Sequence, residues 1–142
     1  MQRFEYAVSV IEVAGRFTVQ CRDFPHLGAA GDDLAAALRQ ADVAIETVFS
    51  ACLQAGQKLP IPSAPLQGEL LIAPTAETMA KAALRVAMRD AGITRVQLAK
   101  RLAVDEKEVR RMLDPRCKSK LPRIAQAIGM LGRKLVIRLE LA

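Results

Sequence analysis

The chain has no tryptophan, one tyrosine and four phenylalanines in 142 residues. Its core therefore cannot rest on aromatic rings and must be built from Leu, Ile, Val, Ala and Met. Histidine occurs once, at His26 in a proline-containing loop, and no serine or cysteine sits in a recognisable nucleophile motif. Cys21, Cys52 and Cys117 match no zinc or CxxC spacing, and their odd number argues against a disulfide framework. They read as reduced thiols. A Gly-rich phosphate loop and metal-ligand spacing are also missing. Asp42 and Glu46 stand four apart on the wet face of a helix, an ordinary solvated arrangement. No catalytic residue, metal site or cofactor is assigned, and a non-enzyme is expected. No apolar run approaches the roughly 20 residues that a membrane helix needs, and the first residues run straight into a strand-like pattern containing acids. A cytoplasmic protein is expected.

What is present in quantity is basic charge, and it is unevenly placed. Residues 1–75 hold 5 Lys/Arg and 8 Asp/Glu, a net of −3, whereas residues 76–142 hold 16 and 7, a net of +9. Such a split points to a nucleic-acid-binding half beside a half with another task.

The first half reads as strands and then a helix. Phe4 to Glu12 and Phe17 to Cys21 are strand candidates around a hairpin turn at Ala14, Gly15 and Arg16. Pro25 breaks the pattern, and Leu27 to Gly31 offers a short third strand. A long helix is predicted from about Asp33 to Ala55, capped by Asp32 or Asp33. Leu34, Ala37, Leu38, Ala41, Ile45, Val48, Phe49 and Cys52 recur at helical spacing on its apolar face. The prolines between Leu59 and Leu66 keep the chain extended. Glu69 to Ala73 is a further strand returning to the same sheet.

The second half is a helix series. A helix from Ala76 to Ala91, with Thr75 as N-cap, carries Lys81, Arg85 and Arg89 along one edge expected to be exposed. Thr94 and Gln97 have capping-box spacing for the next helix, Asp105 and Glu108 for the third, and Ser119 is the expected cap of a fourth. Residues 134–141 alternate: Leu135, Ile137, Leu139 and Leu141 on one side, Val136, Arg138 and Glu140 on the other. That is a strand, and its unpaired backbone calls for a partner, either a second copy of the chain or the N-terminal sheet. The fold class expected is α+β, with a sheet-and-helix domain over 1–73 and a helical domain over 75–142.

Thr94 to Leu113 is a helix-turn-helix pattern with its turn at Ala103 and Val104. Arg95 and Gln97, in the first turn of the supporting helix, would lie at the sugar-phosphate backbone. On the recognition helix Val109, Met112 and Leu113 face inward, leaving Glu106, Lys107, Arg110 and Arg111 outward. Arg and Lys can read guanine edges and Glu can accept from cytosine. Arg116, Lys118 and Lys120 are placed for phosphates, which supply most of the affinity of such complexes.

The order of parts resembles the HicB family of antitoxins from bacterial toxin–antitoxin pairs. The residues carrying the likeness are Phe24, Pro25, His26 and Leu27, then the run from Gly31 to Leu38, then Gly56 to Ser63. An acid or similar residue followed by Pro-Gly-Cys is usual after the Phe-Pro pair in that family. Here His26, Leu27, Gly28, Ala29 and Ala30 occupy those places. The second half resembles the family's helix-turn-helix version rather than its ribbon-helix-helix version. The resemblance implies a partial RNase H-like N-terminal fold without nuclease activity. It further implies a small basic ribonuclease toxin of the HicA type whose active site that domain covers, and a homodimeric C-terminal domain that binds the operon's own operator. Glu12, Asp23, Asp32 and Asp33 are toxin-facing candidates by charge, since a −3 unit complements a basic partner. Two other functions compete: a stand-alone repressor with a ligand-sensing N-terminal domain, and a residual metal-dependent nuclease.

Overall fold

A computed structural model describes residues 2–141, and the chain divides into two compact units, residues 1–75 and 76–142. In the first unit, β1 (Tyr6–Val13), β2 (Arg16–Cys21) and β3 (Ala29–Gly31) precede α1 (Leu34–Gln54), and β4 (Leu70–Ile72) follows it. The sheet order is β3-β2-β1-β4 and every pairing is antiparallel. All four strands expected in the first half are present, and the long helix matches within a residue or two.

The β1–β2 turn is formed by Ala14 (φ 52°) and Gly15 (φ 77°). Two successive positive φ values make the primed turn whose twist suits a two-residue hairpin. Register then aligns Val8 with Cys21 and Val10 with Val19, while Tyr6 faces Ile72 across β4. These residues share the face that α1 covers. Tyr6, Val8, Val19, Cys21 and Ile72 are buried there against Ala37, Ala41, Ile45, Phe49 and Cys52. Phe49 meets Phe4 and Tyr6 edge-on, at centroid distances of 5.6 and 6.1 Å. Four of the five aromatic rings, Phe4, Tyr6, Phe24 and Phe49, are thus linked by ring contacts.

Asp33 is the N-cap of α1, its carboxylate accepting from Ala36 N at 2.7 Å. Helix and sheet come closest at Gly31, where a Cβ would lie 2.5 Å from Ala37 N. Glycine is needed there for space, not for backbone angle. Leu34 precedes this crossing by one turn and stays exposed, contrary to the expected apolar stripe. Leu53, outside that stripe, is buried instead.

In the second unit α2 (Ala76–Ala91), α3 (Arg95–Leu102), α4 (Glu106–Leu113) and α5 (Leu121–Gly129) enclose one core. Leu84, Met88, Leu98, Val109, Met112, Ile124 and Ile128 form its centre. Lys81 and Ser119 depart from expectation. Lys81 is not on an exposed edge: it is fully buried, because backbone carbonyls of another loop converge on it. Ser119 does not cap α5; Lys120 occupies that position without a side-chain cap, and Ser119 is held by α2.

The C-terminal strand is not formed within the chain. Residues 133–141 adopt no regular element, and the sheet contains β1 to β4 alone. Leu135 still packs on the helical core, whereas Ile137, Leu139 and Leu141 project into solvent at 76, 99 and 102 % exposure. A strand needs a second strand to complete its hydrogen bonds, and a single chain supplies none here.

Candidate functional site

The α3–α4 pair is fixed by its caps. Thr94 Oγ1 accepts from Gln97 N at 3.2 Å and Gln97 Oε1 accepts from Thr94 N at 2.9 Å, so the predicted capping box is present. Ala103 then takes a left-handed conformation (φ 55°) and closes α3. Asp105 caps α4 by accepting from Lys107 N. Glu108 does not complete a second box; it pairs with Arg123 of α5 at 3.7 Å. Leu98, Ala99, Val109 and Met112 are buried beneath the pair.

The outward residues fall into two groups. Lys107, Arg111 and Lys118 are exposed and, among the described residues, are in no ion pair. Glu106, by contrast, accepts from Arg110 Nη2 at 2.7 Å and pairs with Arg95 Nε at 3.5 Å. Its carboxylate holds an arginine from each helix. Each exposed pair adds little stability; the effect is to set where Arg95 and Arg110 stand. Gln97 spends its carbonyl oxygen on the cap, which leaves its amide group to donate.

Arg116 is also engaged. Asp114 accepts from Arg116 Nε and Nη2 at 3.0 and 2.9 Å and from its backbone N at 2.9 Å. The guanidinium holds the Asp114 carboxyl below the usual aspartate value, and Asp114 raises the Arg116 guanidinium in return. Lys100 and Arg101 are exposed cations near these residues in sequence that pattern reading did not select. Nothing but charge marked them.

Behind α4 lies a group that sequence reading misplaced. Lys81 Nζ donates to the carbonyls of Arg111, Asp114 and Cys117 at 2.9, 2.8 and 2.6 Å, and to Ser119 Oγ at 2.9 Å. Glu77, one turn earlier on α2, accepts from Ser119 N at 2.7 Å and lies 4.0 Å from the ammonium. Burial pulls the Lys81 ammonium below the usual lysine value, and Glu77 and Asp114 act against that pull. The sequence does hold a faint signal: Lys81 stands three residues before the core residue Leu84 and four after Glu77.

The four acidic candidates of the first unit are not one cluster. Register places Glu12 beside Phe17 and Phe17 beside Gly31, so Glu12, Asp32 and Asp33 share one end of the sheet. Asp32 pairs with Arg16 at 2.9 Å, and Asp33 is the α1 cap. Asp23 is at the opposite end, beyond Cys21. There its two oxygens accept from Ser63 N and Ser63 Oγ at 2.9 and 2.6 Å. Arg22 binds Glu69 and the Ala64 carbonyl, and Tyr6 Oη donates to the Pro60 carbonyl. Together these bonds tie the proline-rich segment to the sheet. Burial raises the Tyr6 phenol above its usual value, with Asp23 adding to the effect.

An open, largely apolar cleft of about 480 Å³ lies next to this seam, lined by Phe24, His26, Leu27, Val48, Cys52 and Pro60 among others. Among the described residues no group of three His, Cys, Asp or Glu side chains could hold a metal ion, and no helix is long and apolar enough to cross a membrane.

A four-stranded sheet covered by one helix, joined to a cation-rich helical unit, describes a class of small two-part protein. Comparison with known proteins supplies the family. Residues 3–83 match the model of the HicB_like antitoxin of bacterial toxin-antitoxin systems. Antitoxin HicB of Pseudomonas fluorescens (strain Pf0-1) is 33% identical over 140 residues, covering 98% of this chain and 96% of that protein. Antitoxin HicB 1 of Photorhabdus laumondii subsp. laumondii is 27% identical over 138 residues, with 97% and 87% covered. The chain belongs to the HicB-like antitoxin family.

Proposed function

We propose that this antitoxin has two activities on its two units. The first unit neutralises a HicA-type toxin, a small basic ribonuclease, by covering its active site, as the resemblance to a partial RNase H-like fold implies. The second unit binds operator DNA as a helix-turn-helix and represses the operon. The protein works in the cytoplasm as a homodimer, each C-terminal segment serving as a strand for the other.

The observation that carries the DNA reading is the exposed row on α4. Lys107 and Arg111 are unpaired, and Arg110 is held in place by Glu106. Such side chains on the second helix of a pair can reach base edges and phosphates in a major groove. The toxin reading rests on family membership, supported by the net −3 charge of residues 1–75. The dimer reading rests on residues 137–141, whose apolar side chains are open to solvent beside an unpaired backbone.

The deciding experiment is expression of the gene with its immediate genomic neighbours, followed by purification. A stoichiometric small basic protein that arrests growth when expressed alone is the expected result. A homo-oligomer without such a companion, still binding its own promoter, would favour a ligand-sensing repressor. The apolar cleft around His26 is the observation supporting that second reading.

A further inference from the structure

The segment from Arg111 to Ser119 is wound around a single buried cation. Three carbonyls spaced three residues apart, those of Arg111, Asp114 and Cys117, point at Lys81 Nζ, and the Ser119 hydroxyl completes the set. The Lys81 side chain is wholly excluded from solvent, and α2 adds a second hold through Glu77 and Ser119 N. Three charged side chains of the same segment stay in solvent. Arg111, Arg116 and Lys118 are exposed, and Arg116 is held by two hydrogen bonds to Asp114. Carbonyls turned inward and cations turned outward are two faces of one turn of backbone. Without the ammonium, the Cys117 carbonyl would lose its partner, while those of Arg111 and Asp114 would keep only weaker local bonds, from Asp114 N and Cys117 N; losing such a buried bond is costly. The segment would then unwind toward water, taking its outward cations with it.

We propose that Lys81 is a positioning residue for DNA binding: its ammonium fixes the end of α4 and the 114–119 loop so that Arg111, Arg116 and Lys118 meet the phosphate backbone of a duplex together. This rests on the reading that the second unit binds DNA. Lys81 touches no DNA itself. Its effect comes from setting three contacts at once, which a flexible loop would have to order at each encounter.

The test uses the full-length protein, a duplex of its own promoter, and Lys81→Met, which keeps the length and removes the charge. Affinity is measured as a function of salt, well below the melting temperature of each variant. Amide hydrogen exchange is followed in parallel. Lys81→Met is expected to weaken binding at least tenfold and to flatten the salt dependence by about one to two in slope, since each lost phosphate contact contributes close to one. No surface charge is removed, so general destabilisation alone would leave that slope unmoved. Exchange should accelerate at 114–119 and stay slow in α2 and α5. If Lys81→Met does not fold, Ser119→Ala and Glu77→Gln take its place, with the same changes in direction and roughly two- to fivefold weaker binding. Wild-type affinity and slope in the folded variants would overturn the proposal. Absence of binding by the wild-type chain would instead sink the DNA reading, and the inference with it.

Discussion

The two units use their charged side chains in opposite ways. In the first, charge is directed at the chain's own loops: Arg22 to Glu69 and the Ala64 carbonyl, Asp23 to Ser63, Arg16 to Asp32. In the second, carboxylates hold arginines at the surface, as Glu106 does for Arg95 and Arg110 and Asp114 for Arg116. A buried lysine there winds the loop behind them. The difference shows that net charge is a poor guide to which residues are available. Three of the four acids first considered for an interface are occupied with local structure, and Glu12 is the one with neither a side-chain hydrogen bond nor an ion pair among the described residues.

The sharpest way to break this contrast is to remove the surface cations of one unit. Arg110→Ala with Arg111→Ala should lower operator affinity by about 100-fold or more, at roughly 1–3 kcal/mol per lost contact, read by fluorescence anisotropy. Toxin binding, read by pull-down, should persist. Equal loss of both would end the division of labour. The converse change is Gly31→Ala, which forces a methyl against the backbone of α1. It should destabilise the first unit by roughly 3 kcal/mol, seen in denaturant unfolding, and spare DNA binding by the second.

A smaller effect is expected from the C-terminal segment. Leu139→Asp should turn a dimer into a monomer in sedimentation velocity while leaving the circular dichroism of the helices intact. An antiparallel pairing centred on Leu139 also sets Arg138 opposite Glu140 of the second copy, and such cross-strand pairs contribute roughly 0.2–1 kcal/mol. Arg138→Glu alone should therefore weaken the dimer, and Arg138→Glu with Glu140→Arg should restore it. Each unit also carries one alanine in a left-handed conformation, Ala14 and Ala103. Replacing either with glycine should stabilise its own unit by about 0.5–1 kcal/mol, measured by thermal unfolding.

The smallest effect is with pH. Arg22 holds Glu69 below the usual carboxylate value, and Arg116 does the same for Asp114. Their contribution is present above the unfolded carboxylate range, near pH 4, and is lost as pH falls through the lowered folded values. Melting temperature below about pH 4 should thus fall less steeply in Arg22→Ala and Arg116→Ala than in the wild type.

Local rules reached far into this chain. Asp33, Thr94 with Gln97, and Asp105 cap helices where their spacing placed them, and the Ala14–Gly15 turn joins two strands as read. Each depends on neighbours within a few residues, which the sequence displays directly. Lys81 was misread for the opposite reason. Its spacing with Arg85 and Arg89 is that of a wet edge, but its acceptors lie 30 to 38 residues away. Asp23 likewise looks like a free acid until Ser63, 40 residues on, is brought to it.

The sequence by itself therefore determined the helices, the strands of the first half, most of the caps and turns, and the split of charge between the halves, because these follow from local periodicity and composition. Only the tertiary structure decided which charges remain available at the surface and which are buried or paired. A charged group's partner is chosen by distance in space, and a carbonyl 30 residues away competes with water as effectively as one next door.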